Sequence, residues 1–151
     1  MPRRDAKTFL SENQAVTAQA VSTNSIGKGI KEAQINTSMK PLFLFVEVTV
    51  ALTDGGTNAG TQIDLIDDSD PGLATTVAVL QANFMPLIPQ TAAALTKYGA
   101  MIPVVPSKQL YWGIRYTPVT ANLTGGKFTA WCSNQRELAI YAPPSYVILG
   151  T

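Results

Sequence analysis

Four aspartates lie close together near the middle of the chain and are the side chains best suited to holding a metal ion. They are Asp64, Asp67, Asp68 and Asp70. Carboxylate oxygens on a loop are ligands that Ca²⁺ accepts, but no glutamate follows at the distance that an EF-hand loop requires. We therefore interpret the segment as a turn in which aspartate side chains accept hydrogen bonds from backbone N–H groups, and we predict no metal and no cofactor.

Residues for nucleophilic or acid–base catalysis form no recognisable set. The chain has no histidine and one cysteine, Cys132. That composition excludes Ser-His-Asp and Cys-His sites, His-ligated metals and an internal disulfide. Ser107 and Lys108 are adjacent, so they point to opposite sides of an extended segment. Glu47 lies between apolar residues, which predicts that it is at an interface or paired with a Lys or Arg. We predict that no residue is catalytic and that the protein is not an enzyme.

Aromatic and basic side chains offer two further binding chemistries. Tyr111, Trp112 and Tyr116 could stack on a sugar, but strand alternation sends Trp112 and Tyr116 to the core and leaves only Tyr111 outward. Arg3 and Arg4 could contact nucleic acid or an acidic protein surface, but two arginines form a weak basic cluster. Eleven Lys and Arg against ten Asp and Glu give a net charge of +1, which argues against nucleic-acid binding.

The low content of charged residues indicates a surface made for contact. Charged residues are 14% of the 151-residue chain, against roughly 25% in ordinary soluble domains. Because interface cores are depleted of charge, this composition suits a protein packed against neighbours, the alternative being a thinly charged monomer. No apolar stretch reaches the roughly 18 residues of a membrane span, and the N-terminus lacks the apolar run of a secretory signal. We expect the protein to be made in a cytoplasm-like compartment.

The hydrophobic pattern predicts an all-β domain. In the strand Leu42–Leu52 the even positions are all apolar and define a core face, while Phe43 and Phe45 on the other face predict cover on both sides. Gln90–Lys97 is the only segment that suggests a helical turn. About eight short antiparallel strands with Gly, Pro, Asn and Asp turns predict a jelly-roll-like sandwich or barrel. The other main predicted strands are Ser11–Ser25, Thr61–Ile66, Thr75–Leu80, Leu110–Tyr116 and Lys127–Ser133.

The two ends of the chain differ in composition from its centre. Residues 1–10 are polar and basic at first and predict an arm, whereas residues 11–135 carry the strand pattern of the β core. Residues 136–151 are apolar and include Pro143-Pro144. A free tail of that kind would promote aggregation, so we expect it to dock on something. The prediction is a single β domain with an N-terminal arm and a C-terminal docking tail.

Several segments resemble the capsid cement (decoration) proteins of tailed bacteriophages. The run FLSENQAVT at Phe9–Thr17, followed by AVSTN at Ala20–Asn24, is similar to the N-terminal signature of that family. Similar segments follow across roughly Asp5–Tyr146, with departures at Pro143-Pro144 and in the acidic Asp67–Asp70 loop. They are Leu42–Val50, Ile114-Arg115-Tyr116, Leu123–Ala130, and a tail with Gln135, Tyr141-Ala142 and Tyr146.

The resemblance implies a structural virion protein. Made in the host cytoplasm, it would bind the outer face of an icosahedral capsid and stabilise contacts between major capsid protein subunits, with no nucleic-acid or membrane partner. It would act as a homodimer or homotrimer on a capsid symmetry axis, the dimer being preferred. We expect the capsid or self interface to include Arg3, Arg4, Phe9, Tyr141, Pro143, Pro144 and Tyr146.

Three other functions have distinct signatures. A carbohydrate- or receptor-binding β-sandwich of a phage tail or fibre is the main alternative and would expose an aromatic cluster around Tyr111. An enzyme that cleaves glycosides with carboxylates alone would need two carboxyl groups about 5 to 9.5 Å apart in a cleft. A scaffolding or head-completion protein would more often have long charged helices, which the sequence does not predict.

Overall fold

The computed structural model describes residues 9–28, 33–35, 42–103, 105–134 and 146–149. These residues contain no helix, and therefore none that could cross a membrane. They form twelve strands: β1 (Phe9–Ala15), β2 (Ala20–Val21), β3 (Ile26–Gly27), β4 (Ala33–Ile35), β5 (Leu42–Asp54), β6 (Gly60–Asp68), β7 (Ala78–Gln81), β8 (Thr96–Met101), β9 (Val105–Ser107), β10 (Tyr111–Val119), β11 (Leu123–Asn134) and β12 (Tyr146–Leu149).

Eight strands form the two sheets of a jelly roll. The β5 sheet has the order β1-β11-β5-β8, and the β6 sheet has the order β2-β10-β6-β7. The first of these eight strands pairs with the last, the second with the seventh, the third with the sixth and the fourth with the fifth. That order results when one long hairpin is rolled into two facing sheets. The predicted all-β sandwich is therefore confirmed.

Four short strands complete the architecture. β3 extends the pairing of β2 along β10, while β4 and β9 form a separate two-stranded sheet. β12 pairs in parallel with β8 at the edge of the β5 sheet, whereas the other strand pairs that the structure describes are antiparallel. These short strands account for the difference between twelve strands and the predicted eight.

The main core lies between the two sheets and follows the predicted alternation. Along β5 the inward residues Leu44, Val46 and Val48 are fully buried, as expected. Val50 is an exception and is 47% exposed. The pairing of β5 with β11 shifts register on both sides of Val50, so the alternation is interrupted there. The opposite sheet contributes Ile63, Leu65, Trp112, Ile114 and Tyr116.

A second apolar cluster covers the outer face of the β5 sheet. Phe43, Phe45 and Trp131 are buried there, and Phe9 packs against them. The rings of Phe45 and Trp131 stack with centroids 5.6 Å apart. The prediction that the start of β5 is covered on both sides is confirmed.

Three predicted boundaries change because of tertiary contacts. The predicted helical turn at Gln90–Lys97 is wrong: Thr96 and Lys97 already belong to β8 and pair with β5. β7 begins at Ala78 rather than Thr75, because the residues before it hydrogen-bond to Asp68. β1 begins at Phe9, two residues before the predicted β core, since Leu10 is completely buried in the main core.

Candidate interaction surface

The predicted interface residues lie largely at the chain ends. Phe9 is half-buried, and its ring centroid lies 6.4 Å from that of Trp131. The backbone of Tyr146 begins β12 and pairs with Lys97 of β8. The other predicted interface residues lie outside the described residues, and they are Arg3, Arg4, Tyr141, Pro143 and Pro144.

The acidic segment is organised around one buried carboxylate. Asp68 accepts hydrogen bonds from the backbone N–H groups of Asp70, Thr75 and Thr76, each with a shortest distance of 3.0 Å, and from the Thr76 hydroxyl at 2.8 Å. Burial by itself raises the pKa of Asp68, but these hydrogen bonds outweigh it and lower the pKa to about 2. The predicted capping role is confirmed, although the carboxylate is buried rather than solvated.

The neighbouring aspartates are engaged separately. Asp64 accepts two hydrogen bonds from the Arg115 guanidinium, at 2.9 and 3.2 Å, and one from the backbone N–H of Asn83 at 2.9 Å. The exposed side of the turn carries Asp70, which caps the N–H of Gly72. Across the described ranges, no three His, Cys, Asp or Glu side chains converge on a point that could hold a metal ion.

A Ser–Lys–Asp cluster forms where the sequence did not predict one. The Nζ atom of Lys28 donates to the Ser107 hydroxyl at 2.7 Å and to the Ser107 carbonyl at 2.8 Å. The same hydroxyl donates to Asp67 at 2.7 Å. Gln109 also donates to Asp67 through its amide side chain at 3.0 Å. Lys28 and Ser107 are 79 residues apart, and their meeting depends on topology that local patterns do not reveal.

The chemistry of this cluster is that of a bridged ion pair. Desolvation lowers the pKa of the Lys28 amine, and the charge of Asp67 opposes that shift. A hydroxyl that accepts from an ammonium and donates to a carboxylate links the two charges. Ser107 is only 1% exposed, so a substrate does not reach its oxygen without rearrangement. As predicted, Lys108 points the other way and is exposed.

Glu47 and the aromatic residues occupy the positions that alternation predicts. Glu47 pairs with Lys97 at 3.8 Å, so the predicted pairing with a Lys or Arg is confirmed. Trp112 and Tyr116 are buried in the core, while Tyr111 is half-buried on the opposite face. None of the aromatic side chains that the structure describes is exposed. The described surface therefore offers no stacking platform for a sugar.

The free edge of the β6 sheet is formed by Val77–Gln81, has exposed apolar side chains and is named here the β7 edge. β7 is the outermost strand of its sheet and pairs with β6. Val79 is 44% exposed and Val77 is also exposed. No charged residue occurs between Asp70 and Lys97, so the segment that carries this edge is itself uncharged. The sequence showed this stretch without charges, but the sheet order was needed to place it at an edge.

A pocket opens beside the β7 edge. Its volume is about 370 Å³, and its walls are mostly apolar. Ala78 and Leu80 of β7 form one side, and the other lining residues are Asp67, Pro106, Lys108 and Gln109. Because the Asp67 carboxylate is already bonded to Ser107 and Gln109, the pocket presents apolar atoms and no free negative charge from that residue.

The comparison with known proteins places the chain in a family. No curated protein matches the sequence. A family model described as Bbp16 matches residues 10–132. That range runs from β1 into β11 and so includes all eight strands of the jelly roll. Because the match covers most of the chain, this protein belongs to the Bbp16 family.

Proposed function

We propose that this protein is a cement (decoration) protein of a tailed bacteriophage. It binds the outer surface of the icosahedral capsid and stabilises contacts between major capsid protein subunits. It does so as a homo-oligomer, a dimer in preference to a trimer, on a capsid symmetry axis. The role is structural and involves no catalysis.

The observation that carries the proposal is the uncharged, exposed β7 edge on a jelly roll. Soluble proteins normally protect an edge strand with lysine, proline, a bulge or a covering loop. The β7 edge has a register shift against β6 at Leu80, but Val77 and Val79 remain exposed within a segment free of charges. Such an edge is suited to contact with another polypeptide.

The polar clusters also favour a structural role. Asp68 holds a loop, Asp64 pairs with Arg115, and Ser107 bridges Lys28 and Asp67. Each of these groups is satisfied by a partner within the chain. These hydrogen bonds and ion pairs stabilise the fold, and a clamp needs a rigid fold.

The expected mechanism is mechanical. Packed DNA pushes a capsid outward, and a clamp must hold the contacts at which subunits would separate. A standard interface buries about 1,600 Å² in total, and an oligomer that engages several subunits gains further through effective concentration. A tail stiffened by Pro143-Pro144 would lose less conformational entropy on docking.

The carbohydrate-binding alternative has less support. It requires an exposed aromatic cluster around Tyr111, whereas Tyr111 is half-buried and lies against Gly27. No observation on the described residues favours that function over the cement function.

The test compares particles that differ only in this chain. Phage particles produced without it should bind the purified protein, and imaging should place it on the outer capsid surface at a symmetry axis. Loaded particles should rupture at a higher temperature than bare ones. Purified virions that lack the chain, or rupture temperatures that do not change at full occupancy, would contradict the proposal.

A further inference from the structure

We infer that the β7 edge and the pocket beside it form the binding site for an extended segment of a capsid subunit that has no basic residues. The segment adds a strand to the β6 sheet and inserts an apolar side chain into the pocket. This inference rests on the proposed function, because that function supplies the partner, and it adds the surface and the kind of segment that fits it.

The edge provides the main-chain part of the recognition. β7 pairs with β6 along one side, and within the described ranges no strand pairs with its other side. A free strand edge presents N–H and C=O groups that an incoming extended peptide can pair with. Val77 and Val79 are exposed, so the described residues do not cover these side chains.

The pocket provides the side-chain part. Ala78 and Leu80 line it, whereas Val79 between them does not line it and is exposed. A strand laid beside β7 alternates in the same way, so every second side chain lies on the pocket side. A volume of about 370 Å³ accommodates an apolar side chain and is within the roughly 300–1,000 Å³ of binding pockets.

The charges around the β7 edge restrict which residue types the bound segment can contain. The region from residue 71 to residue 96 has no charged side chain, and Asp67 in the pocket is already bonded. A basic side chain placed against this surface would lose water and find no free carboxylate in the pocket, which costs free energy, whereas Lys108 in the pocket lining offers a partner to an acidic one. The segment that fits therefore lacks basic residues and is apolar at alternate positions.

A second copy of this chain is a poorer occupant than a capsid segment. If two β7 strands paired across a twofold axis, the side chain nearest each pocket would be Ala78 or Leu80 of the other copy. Both side chains already form a wall of their own pocket. A capsid segment brings a side chain that is free to enter.

The test uses lysine and tryptophan substitutions with a matched control. Val79→Lys places a charge on the edge, and Ala78→Trp fills the pocket from within the chain. Val50→Lys is the control, because Val50 is a valine of similar exposure, 47% against 44%, on the other sheet. Binding to phage particles that lack the chain should weaken about tenfold or more for Val79→Lys and Ala78→Trp, and stay within about twofold of wild type for Val50→Lys.

Each outcome decides between the alternatives. Failure of the wild-type protein to bind particles would overturn the proposed function and this inference together. Wild-type binding with equal binding by Val79→Lys and Ala78→Trp, or equal weakening by Val50→Lys, would overturn this inference alone. Analytical ultracentrifugation of the free variants identifies the other occupant: if Val79→Lys converts an oligomer to a monomer, the edge joins copies and the inference is wrong.

Discussion

At the Asp68 carboxylate, five donors from four residues converge and close the loop that follows β6. Clusters of acidic residues are often interpreted as cation sites. Here N–H and hydroxyl groups of the protein bind the Asp68 carboxylate. The arrangement keeps the carboxylate ionised although it is buried. The loop depends on that charge, and this dependence leads to the first prediction.

Asp68→Asn should destabilise the fold by about 1–3 kcal/mol, because an amide replaces a charged acceptor of several hydrogen bonds. The folded pKa of Asp68, about 2, is below its ordinary 3.8. The stabilisation from ionised Asp68 is therefore complete above about pH 4 and is lost as the pH falls towards 2. Denaturant unfolding at several pH values should show a smaller loss between pH 4 and pH 2 in Asp68→Asn than in wild type.

The control for this prediction is Asp70→Asn. Asp70 lies in the same turn but is only partly buried and caps a single N–H, that of Gly72. Its substitution should cost clearly less stability and leave the acid profile close to that of wild type. Equal effects of the two substitutions would contradict the role assigned to Asp68.

Ser107 gives a second prediction at the scale of single residues. Ser107→Ala removes the hydroxyl that links Lys28 to Asp67 in a buried place. Loss of a hydrogen bond that leaves the buried Asp67 carboxylate less satisfied should lower the free energy of unfolding by about 1–3 kcal/mol. Thr57→Ala, at an exposed hydroxyl in the turn before β6, is the control and should change it by less than about 0.5 kcal/mol. An equally small change in both variants would show that the bridge does not stabilise the fold.

At the scale of elements, the loop after β6 packs over the outer face of its sheet at one glycine. A Cβ atom on Gly113 would lie 2.5 Å from Leu73 Cδ1 and 2.7 Å from Ser22 Oγ. Leu73 and Ser22 are both buried. The absence of a side chain at Gly113 is thus what lets the loop and the strand approach each other.

Gly113→Ala should therefore destabilise the protein by about 1–3 kcal/mol through overpacking. Gly55→Ala is the control, since a Cβ at Gly55 meets nothing within 4 Å. Thermal unfolding of both variants measures the difference. If the two melt at the same temperature, the close approach of Leu73 to β10 does not limit the packing.

The elements also show what the sequence could predict and where it could not. Alternation in β5, β6, β10 and β11 is a local pattern, so their core faces were predictable, except at Val50, where the register of β5 against β11 shifts. The predicted helical turn at Gln90–Lys97 was wrong because β8 pairs with β5, which is distant in sequence, and this pairing overrides a weak helical preference. The meeting of Lys28 with Ser107 and the edge position of β7 depend on the rolled hairpin, which no local pattern records.

At the scale of the whole molecule, low charge and an open edge lead to one expectation about capsid binding. The chain has a net charge of +1, and four of the six exposed large hydrophobic residues in the described ranges lie in a stretch without charges, residues 71–96. Contacts made by apolar side chains and main-chain hydrogen bonds respond little to salt, whereas exposed ion pairs are screened. The salt response of bound particles therefore reports which kind of contact holds the clamp.

Raising sodium chloride from about 0.1 M to about 0.5 M should release little of the protein from loaded particles, because the Debye length shortens without affecting apolar contacts. Sedimentation of the particles followed by quantification of bound protein measures the release. The variant Arg3→Ala/Arg4→Ala removes the most basic part of the predicted arm and serves as the comparison. Complete release of the wild-type protein by moderate salt would show instead that ion pairs dominate. If the double variant also failed to bind at low salt, the arm rather than the uncharged edge would hold the protein on the capsid.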